Sequence, residues 1–317
     1  MLALHSSSLP NTASSRPKRR TSLSCTQSEH LNSVRTEFSF SVGTYLIPHP
    51  KKVDRGGEDA FLVSSYNGGV LAIADGVSGW AEQDVDPALF SRELMANASS
   101  LVDDEEVNYD PRILLKKAHS ATCSVGSATV VVAMLEKNGV LKIANVGDCG
   151  LRIMRGGKIL FSTSPQEHYF DCPYQLSSQL LGQTYLDAAV NKMELAEGDV
   201  IVMGSDGLFD NVFDHEIVSV ISQFEDAAEA AKALANLASD HSRDANFDSP
   251  YSLEARGQVS KSKSGSVRLH VFNMNGFDLD DVTVIVAQVV LKTRWRGTMW
   301  EEHYLIINAV WSTQKYT

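Results

Sequence analysis

The chain has 317 residues, 43% of them hydrophobic, and sets 28 Lys and Arg against 39 Asp and Glu for a formal net charge of −11. A chain of this kind can bury a full core, which excludes disorder throughout, and its acidic balance argues against sequence-independent binding to nucleic acid or acidic lipid. Cys25, Cys123, Cys149 and Cys172 lack CxxC spacing, which argues against structural zinc and a disulfide scaffold, and no apolar run approaches the length of a membrane span.

Residues 1–35 are rich in Ser and Thr, carry Arg16, Lys18, Arg19 and Arg20, and hold no acidic residue before Glu29. That composition predicts a transit peptide, and the late basic residues favour the chloroplast; a disordered tail or a nuclear-localisation cluster are the alternatives. Residues 36–290 read as the folded domain. Phe38 to Ile47, Ala60 to Ser64 and Gly69 to Ala74 have strand patterns, with a Tyr66-Asn67-Gly68-Gly69 turn between the last two. Two helices follow, Pro87 to Leu101 and Pro111 to Ala121, the second opened by Asp110 as a cap.

The middle is strongly β: Ser127 to Leu135, Val140 to Val146, Gly150 to Met154 and Lys158 to Ser162. Turns at Asn138-Gly139, Gly147-Asp148 and Gly156-Gly157 predict antiparallel hairpins. Val200 to Met203 is another strand, Asp214 to Gln223 and Glu225 to Asp240 are helices, and Val282 to Val290 is the last strand. Strands at both ends with helical pairs between them predict an α+β fold, two antiparallel sheets packed on each other and flanked by helices in a four-layer αββα sandwich. Residues 257–276 read as a flexible loop. The tail 291–317, with three of the four tryptophans, reads as an added docking helix or an artefact of the gene model.

The chemistry lies in where acids fall. Glu58-Asp59 precede a strand, Asp75 ends LAIADG, Asp148 lies in NVGDCG, Asp206 in VMGSDG with Asp210 four residues on, and Asp280-Asp281 precede the last strand. One Asp at a strand end is ordinarily a turn former. Several from different strands can converge on one rim, where their repulsion calls for cations. All-oxygen ligands without a His and Cys cluster select Mg²⁺ or Mn²⁺ over zinc. Two such ions would acidify a shared water and clamp a phosphoryl oxygen.

In order, GGEDAF, VLAIADGVSGW, GSATVVVAML, LKIANVGDCGLRIMRGGKI, VIVMGSDGLFDNV and LDDVTVIVA resemble the type 2C family of metal-dependent protein Ser/Thr phosphatases, across residues 41–290. The resemblance implies catalytic roles for Asp75, Asp206 and Asp280, with Asp75 bridging both cations and the Gly76 carbonyl on the first. It implies that Glu58 and Asp59 reach the second metal and that Asp148 and Asp210 serve a weaker third. GVSGWAEQDVDPALFS and QEHYFDCPYQLSS resemble a plant chloroplast branch of the family. This implies phosphothreonines of photosystem II core subunits as substrates, at the stromal thylakoid surface; the expected state is a monomer, and the acidic balance points to no nucleic acid partner. The alternative is a catalytically inactive binding scaffold.

Two positions depart from the family pattern. Val77 stands where many members have a proposed general-acid histidine. Arg55 lies three residues before Glu58, where the family's phosphate-holding arginine lies four before, so phosphate contact and a solvated loop charge both stay open. His168 reads as a loop histidine or an acid, Cys149 as a small buried thiol or a redox group, and Trp80 as cleft lining or core.

Overall fold

The computed structural model describes residues 35–179, 182–262, 280–294 and 305–307. The expected leader therefore lies outside the described residues except for Arg35, as do residues 263–276 of the expected loop and most of the tail. In chain order the elements are β1 (Arg35–Ile47), β2 (Ala60–Ser64), β3 (Gly69–Gly76), α1 (Pro87–Ser100), α2 (Pro111–Ala121), β4 (Ser127–Leu135), β5 (Val140–Val146), β6 (Gly150–Arg155) and β7 (Lys158–Ser162). There follow β8 (Glu167–Tyr169), β9 (Cys172–Pro173), β10 (Leu176–Ser177), β11 (Ala189–Glu194), β12 (Val200–Gly204), α3 (Asp206–Phe209), α4 (Asp214–Ile221), α5 (Ala227–His241), α6 (Pro250–Ser262), β13 (Val282–Arg294) and β14 (Leu305–Ile307).

Among the described residues one sheet runs β1-β13-β12-β6-β7 and a second runs β11-β5-β4-β3-β2-β14, with β10 on β4 and β8 paired to β9 apart from both. The ladders of the two large sheets are antiparallel throughout. Phe61, Leu71, Ile73, Val131, Ile143, Leu151, Ile153, Ile201 and Ile285 fill the space between the sheets. On the outer face of the second sheet, Leu62, Ala72, Val130 and Val132 meet Phe90, Leu94, Leu114 and Leu115 of α1 and α2. On the outer face of the first, Val202, Val284 and Val286 meet Ile217, Leu234 and Ala235 of α4 and α5.

This is the αββα sandwich, and it explains why β4 is apolar without alternation. All nine of its residues are buried because both of its faces are covered. Each such Val or Leu side chain contributes about 1.5–3 kcal/mol on burial. Asp86 and Asp110 cap α1 and α2 by accepting from Ala88 and Arg112 amides, each with Pro at the first helical position.

Three expectations are corrected. Gly147-Asp148 does not turn a hairpin: β5 has β4 and β11 on its two edges, so β6 finds no free edge there and crosses to pair with β12 in the other sheet. The expected loop begins as helix, since α6 carries residues 257–262. Its start has Pro250 and Ser249, whose hydroxyl accepts from the Ser252 amide, and a single interior Gly257 costs only about 1 kcal/mol. In the tail, residues 291–294 continue β13 and Leu305–Ile307 add an antiparallel strand to β2, so the described part is strand where a docking helix was one expectation.

Candidate metal-dependent active site

Register brings the acids together. The pair Ala60–Ala74 ends the β2–β3 ladder, so one step further Asp59 stands opposite Asp75. Gly204 pairs with both Gly150 and Val284, so the residues just beyond, Asp206, Asp148 and Asp280-Asp281, reach the same edge from three chain segments. One rim of the sandwich thus collects carboxylates from both sheets. Glu58, Asp59 and Asp75 are 2%, 2% and 8% exposed.

The electrostatics follow from that crowding. Burial first, then the charges of Asp59, Asp206 and Asp280, push the Asp75 carboxyl well above its ordinary value. Asp59 is pushed up to about 8, by burial and then by Asp281, with the hydroxyls of Thr283 and Ser205 working the other way. Neither Asp59 oxygen, nor Oδ1 of Asp148, makes a geometrically sound hydrogen bond. Burial raises Asp148 to about 6, opposed by hydrogen bonds from its own backbone and from Thr129.

Asp281 has a different task. Its two oxygens accept from the His49 and Glu58 amides, both at 2.6 Å, and so pin the β1–β2 loop beneath the rim. Gly57 in that loop has φ +82°, and a Cβ there would stand 2.8 Å from Asp281 Oδ1, so no other residue fits. Arg92 clamps the same loop by donating to the carbonyls of Arg55 and Gly57. Gly76 ends β3 where a Cβ would meet the Glu58 carbonyl at 2.9 Å.

Several rim residues carry no strong sequence signal. Lys52 Nζ lies 2.6 Å from Glu58 Oε2, 2.9 Å from Asp280 Oδ1 and 3.0 Å from Ser78 Oγ. Burial opposes its charge, but Asp280, Asp281 and Glu58 outweigh it and hold the ammonium above the ordinary lysine range. The available signal was a second Lys in HPKK, just ahead of the GGED motif. Ser78 donates to Glu58 Oε2 at 2.6 Å, orienting that carboxylate. Arg55 is half exposed, 3.6 Å from Asp86 and 3.9 Å from Glu58.

Asp148, Asp206 and Asp210 line one cavity of about 200 Å³ with Glu167, Asp171, Phe170 and Tyr251. The cavity's short β8–β9 wall was not foreseen, because its exposed polar residues have no periodicity. Trp80 is buried and donates to Ser127 Oγ at 2.6 Å, which makes it scaffold. Cys149 is fully buried against Thr129, while His168 is exposed and meets Gln183 and Tyr174.

The donors are all oxygen and crowded, with buried lone pairs that lack donors, which fits a hard divalent cation. Among the described residues, however, no three Asp, Glu, His or Cys side chains form a ready-made metal cage. The acids are gathered at one edge, with the Lys52 ammonium between Glu58 and Asp280.

The chain belongs to the protein phosphatase 2C family, and its fold is that family's αββα sandwich. It is 62% identical over 271 residues to the probable protein phosphatase 2C 26 of Arabidopsis thaliana, covering 84% of this chain and 89% of that protein. It is equally identical over 259 residues to the probable protein phosphatase 2C 1 of Oryza sativa subsp. japonica, covering 82% of this chain and 78% of that one. Among solved structures it is similar to the photosystem II phosphatase PBCP, at 62% identity and a TM-score of 0.73, over 79% of this chain and 98% of that one. The catalytic domain of the Ser/Thr phosphatase PstP, solved with two manganese ions, shares the fold at 20% identity and a TM-score of 0.54, over 80% of this chain and 99% of that one. No protein-family model matches the chain. The protein is a type 2C protein Ser/Thr phosphatase.

Proposed function

We propose that this phosphatase acts in the chloroplast, at the stromal thylakoid surface, on phosphothreonine and phosphoserine of photosystem II core proteins. Two Mg²⁺ or Mn²⁺ ions would be held by Asp75, the Gly76 carbonyl, Glu58, Asp59, Asp206 and Asp280, with a weaker third at Asp148 and Asp210. Bound there, they would supply Lewis-acid polarisation of the phosphoryl group and an acidified water. The observation that carries this reading is that the strand registers bring Asp59, Asp75, Asp206 and Asp280 to one rim, where burial and then their mutual repulsion raise Asp75, a repulsion that a cation relieves.

The chain's own residues divide the remaining work. Ser78 orients Glu58, and Asp281 fixes the loop that carries it. Arg55 stands half exposed between Asp86 and Glu58, at the mouth of the rim, where its guanidinium would meet a phosphoryl oxygen. Val77 offers no proton, so the leaving alkoxide takes one from water or from another group. The likeness to the photosystem II phosphatase supports the choice of substrate.

The test adds purified protein to phosphorylated thylakoids, with Mn²⁺ or with EDTA, and follows phosphothreonine on each protein. Manganese-dependent loss from the core subunits ahead of other thylakoid phosphoproteins is expected. Equal loss from all of them would sink the substrate assignment, and undiminished loss in EDTA would sink the metal assignment.

A further inference from the structure

We propose that the Lys52 ammonium is a resident cation of the acidic rim, which competes with a divalent ion for Glu58 and Asp280 and thereby sets how tightly the rim takes up metal. The proposal rests on the metal-binding reading above. The Nζ has three donors and finds three close acceptors, Glu58 Oε2 at 2.6 Å, Asp280 Oδ1 at 2.9 Å and Ser78 Oγ at 3.0 Å, with Asp281 Oδ2 at 3.7 Å beyond them. Two of those acceptors belong to the expected ligand set, one from each side of the rim. The Lys52 side chain is 13% exposed, against 48% for Arg55, so Lys52 is the cation set among the carboxylates and Arg55 the one at their mouth.

Competition follows from distance. An oxygen that ligates Mg²⁺ sits about 2.1 Å from it, so an ammonium hydrogen-bonded to the same oxygen would lie within ~5 Å of a double positive charge. At that separation and low exposure the repulsion is large. Metal uptake at Glu58 and Asp280 therefore requires the ammonium to withdraw. A lysine suits this role, because its charge is compact and its four-carbon stem flexible, whereas a bidentate arginine would hold its carboxylates in a fixed fork.

The experiment is calorimetric titration of Mn²⁺ into the chelator-treated full chain, for the wild type, Lys52→Met and Lys52→Arg. The wild type should bind saturably, Lys52→Met should bind its weaker Mn²⁺ at least tenfold more tightly, and Lys52→Arg should bind no more tightly than the wild type. Saturable wild-type binding with unchanged or weaker binding by Lys52→Met would overturn this proposal alone. No binding by the wild type would overturn the metal reading, and this proposal with it. Should Lys52→Met unfold when chelated, refolding on addition of Mn²⁺ supports the proposal, since the metal then replaces the lost charge. Failure to refold, in Lys52→Gln as well, would make the lysine a purely structural brace and overturn it.

Discussion

The two ends of β12 carry the same residue type in opposite circumstances. At its start Asp199 is fully buried, its two oxygens each 2.7 Å from the Arg155 guanidinium, and Oδ2 also accepts from the Ala196 amide at 2.8 Å. At its end Asp206 opens α3 and adds its charge to the crowd that raises Asp75. One end is complete within the chain, because an arginine at the end of β6, the neighbouring strand, supplies the counter-charge. The other gathers carboxylates from both sheets beside one partly buried lysine. An aspartate buried at a strand edge is structural when the fold supplies its counter-charge, as it does for Asp199.

Three measurements would break or sharpen that contrast. The largest effect is expected for Asp75→Asn, which should lower manganese-dependent phosphatase turnover by on the order of a hundred- to a thousandfold, as loss of a charge-stabilising group does. Its chelated form should melt no lower than the wild type, because one repelling charge is gone. A lower midpoint would mean that Asp75 holds the fold together.

At the other end Asp199→Asn should do the reverse. Stability in urea should fall by about 2–3 kcal/mol, less than a fully buried pair would lose because Arg155 is half exposed, while turnover per folded molecule stays unchanged. Lost turnover at full stability would erase the distinction between the two ends.

The most diagnostic effect is with pH. Asp59 is raised from 3.8 to about 8, so the folded state keeps a proton that the unfolded state releases. Stability from this group is complete below about pH 4 and is lost as pH rises through 8. In EDTA the urea midpoint should therefore decline from pH 5 to pH 8, Mn²⁺ should flatten the decline, and Asp59→Asn should make it shallower, Asp75 and Asp148 supplying the rest. A midpoint that rises over that window in EDTA would place the dominant titration elsewhere.

Much of the fold was legible in the sequence. Ala60–Ser64, Pro111–Ala121, Ser127–Leu135 and Val140–Val146 have the expected boundaries, because apolar runs, an Asp cap and Gly turns act over a few residues. The rim acids stood out for the same local reason, each closing a strand or preceding one. β11 escaped notice because its side chains are at most half buried, which leaves little apolar signal. The crossing at Gly147-Asp148 was misread as a hairpin because a turn motif says nothing about whether the neighbouring edge is already taken.

By itself the sequence determined the family, the succession of strands and helices, and which acids end those strands, since these follow from patterning within short windows. Only the tertiary structure decided which sheet each strand joined and which acids have a cation beside them. That choice depends on contacts such as Lys52 with Asp280, 228 positions apart, where edge pairing and burial act together and local pattern carries no record of either.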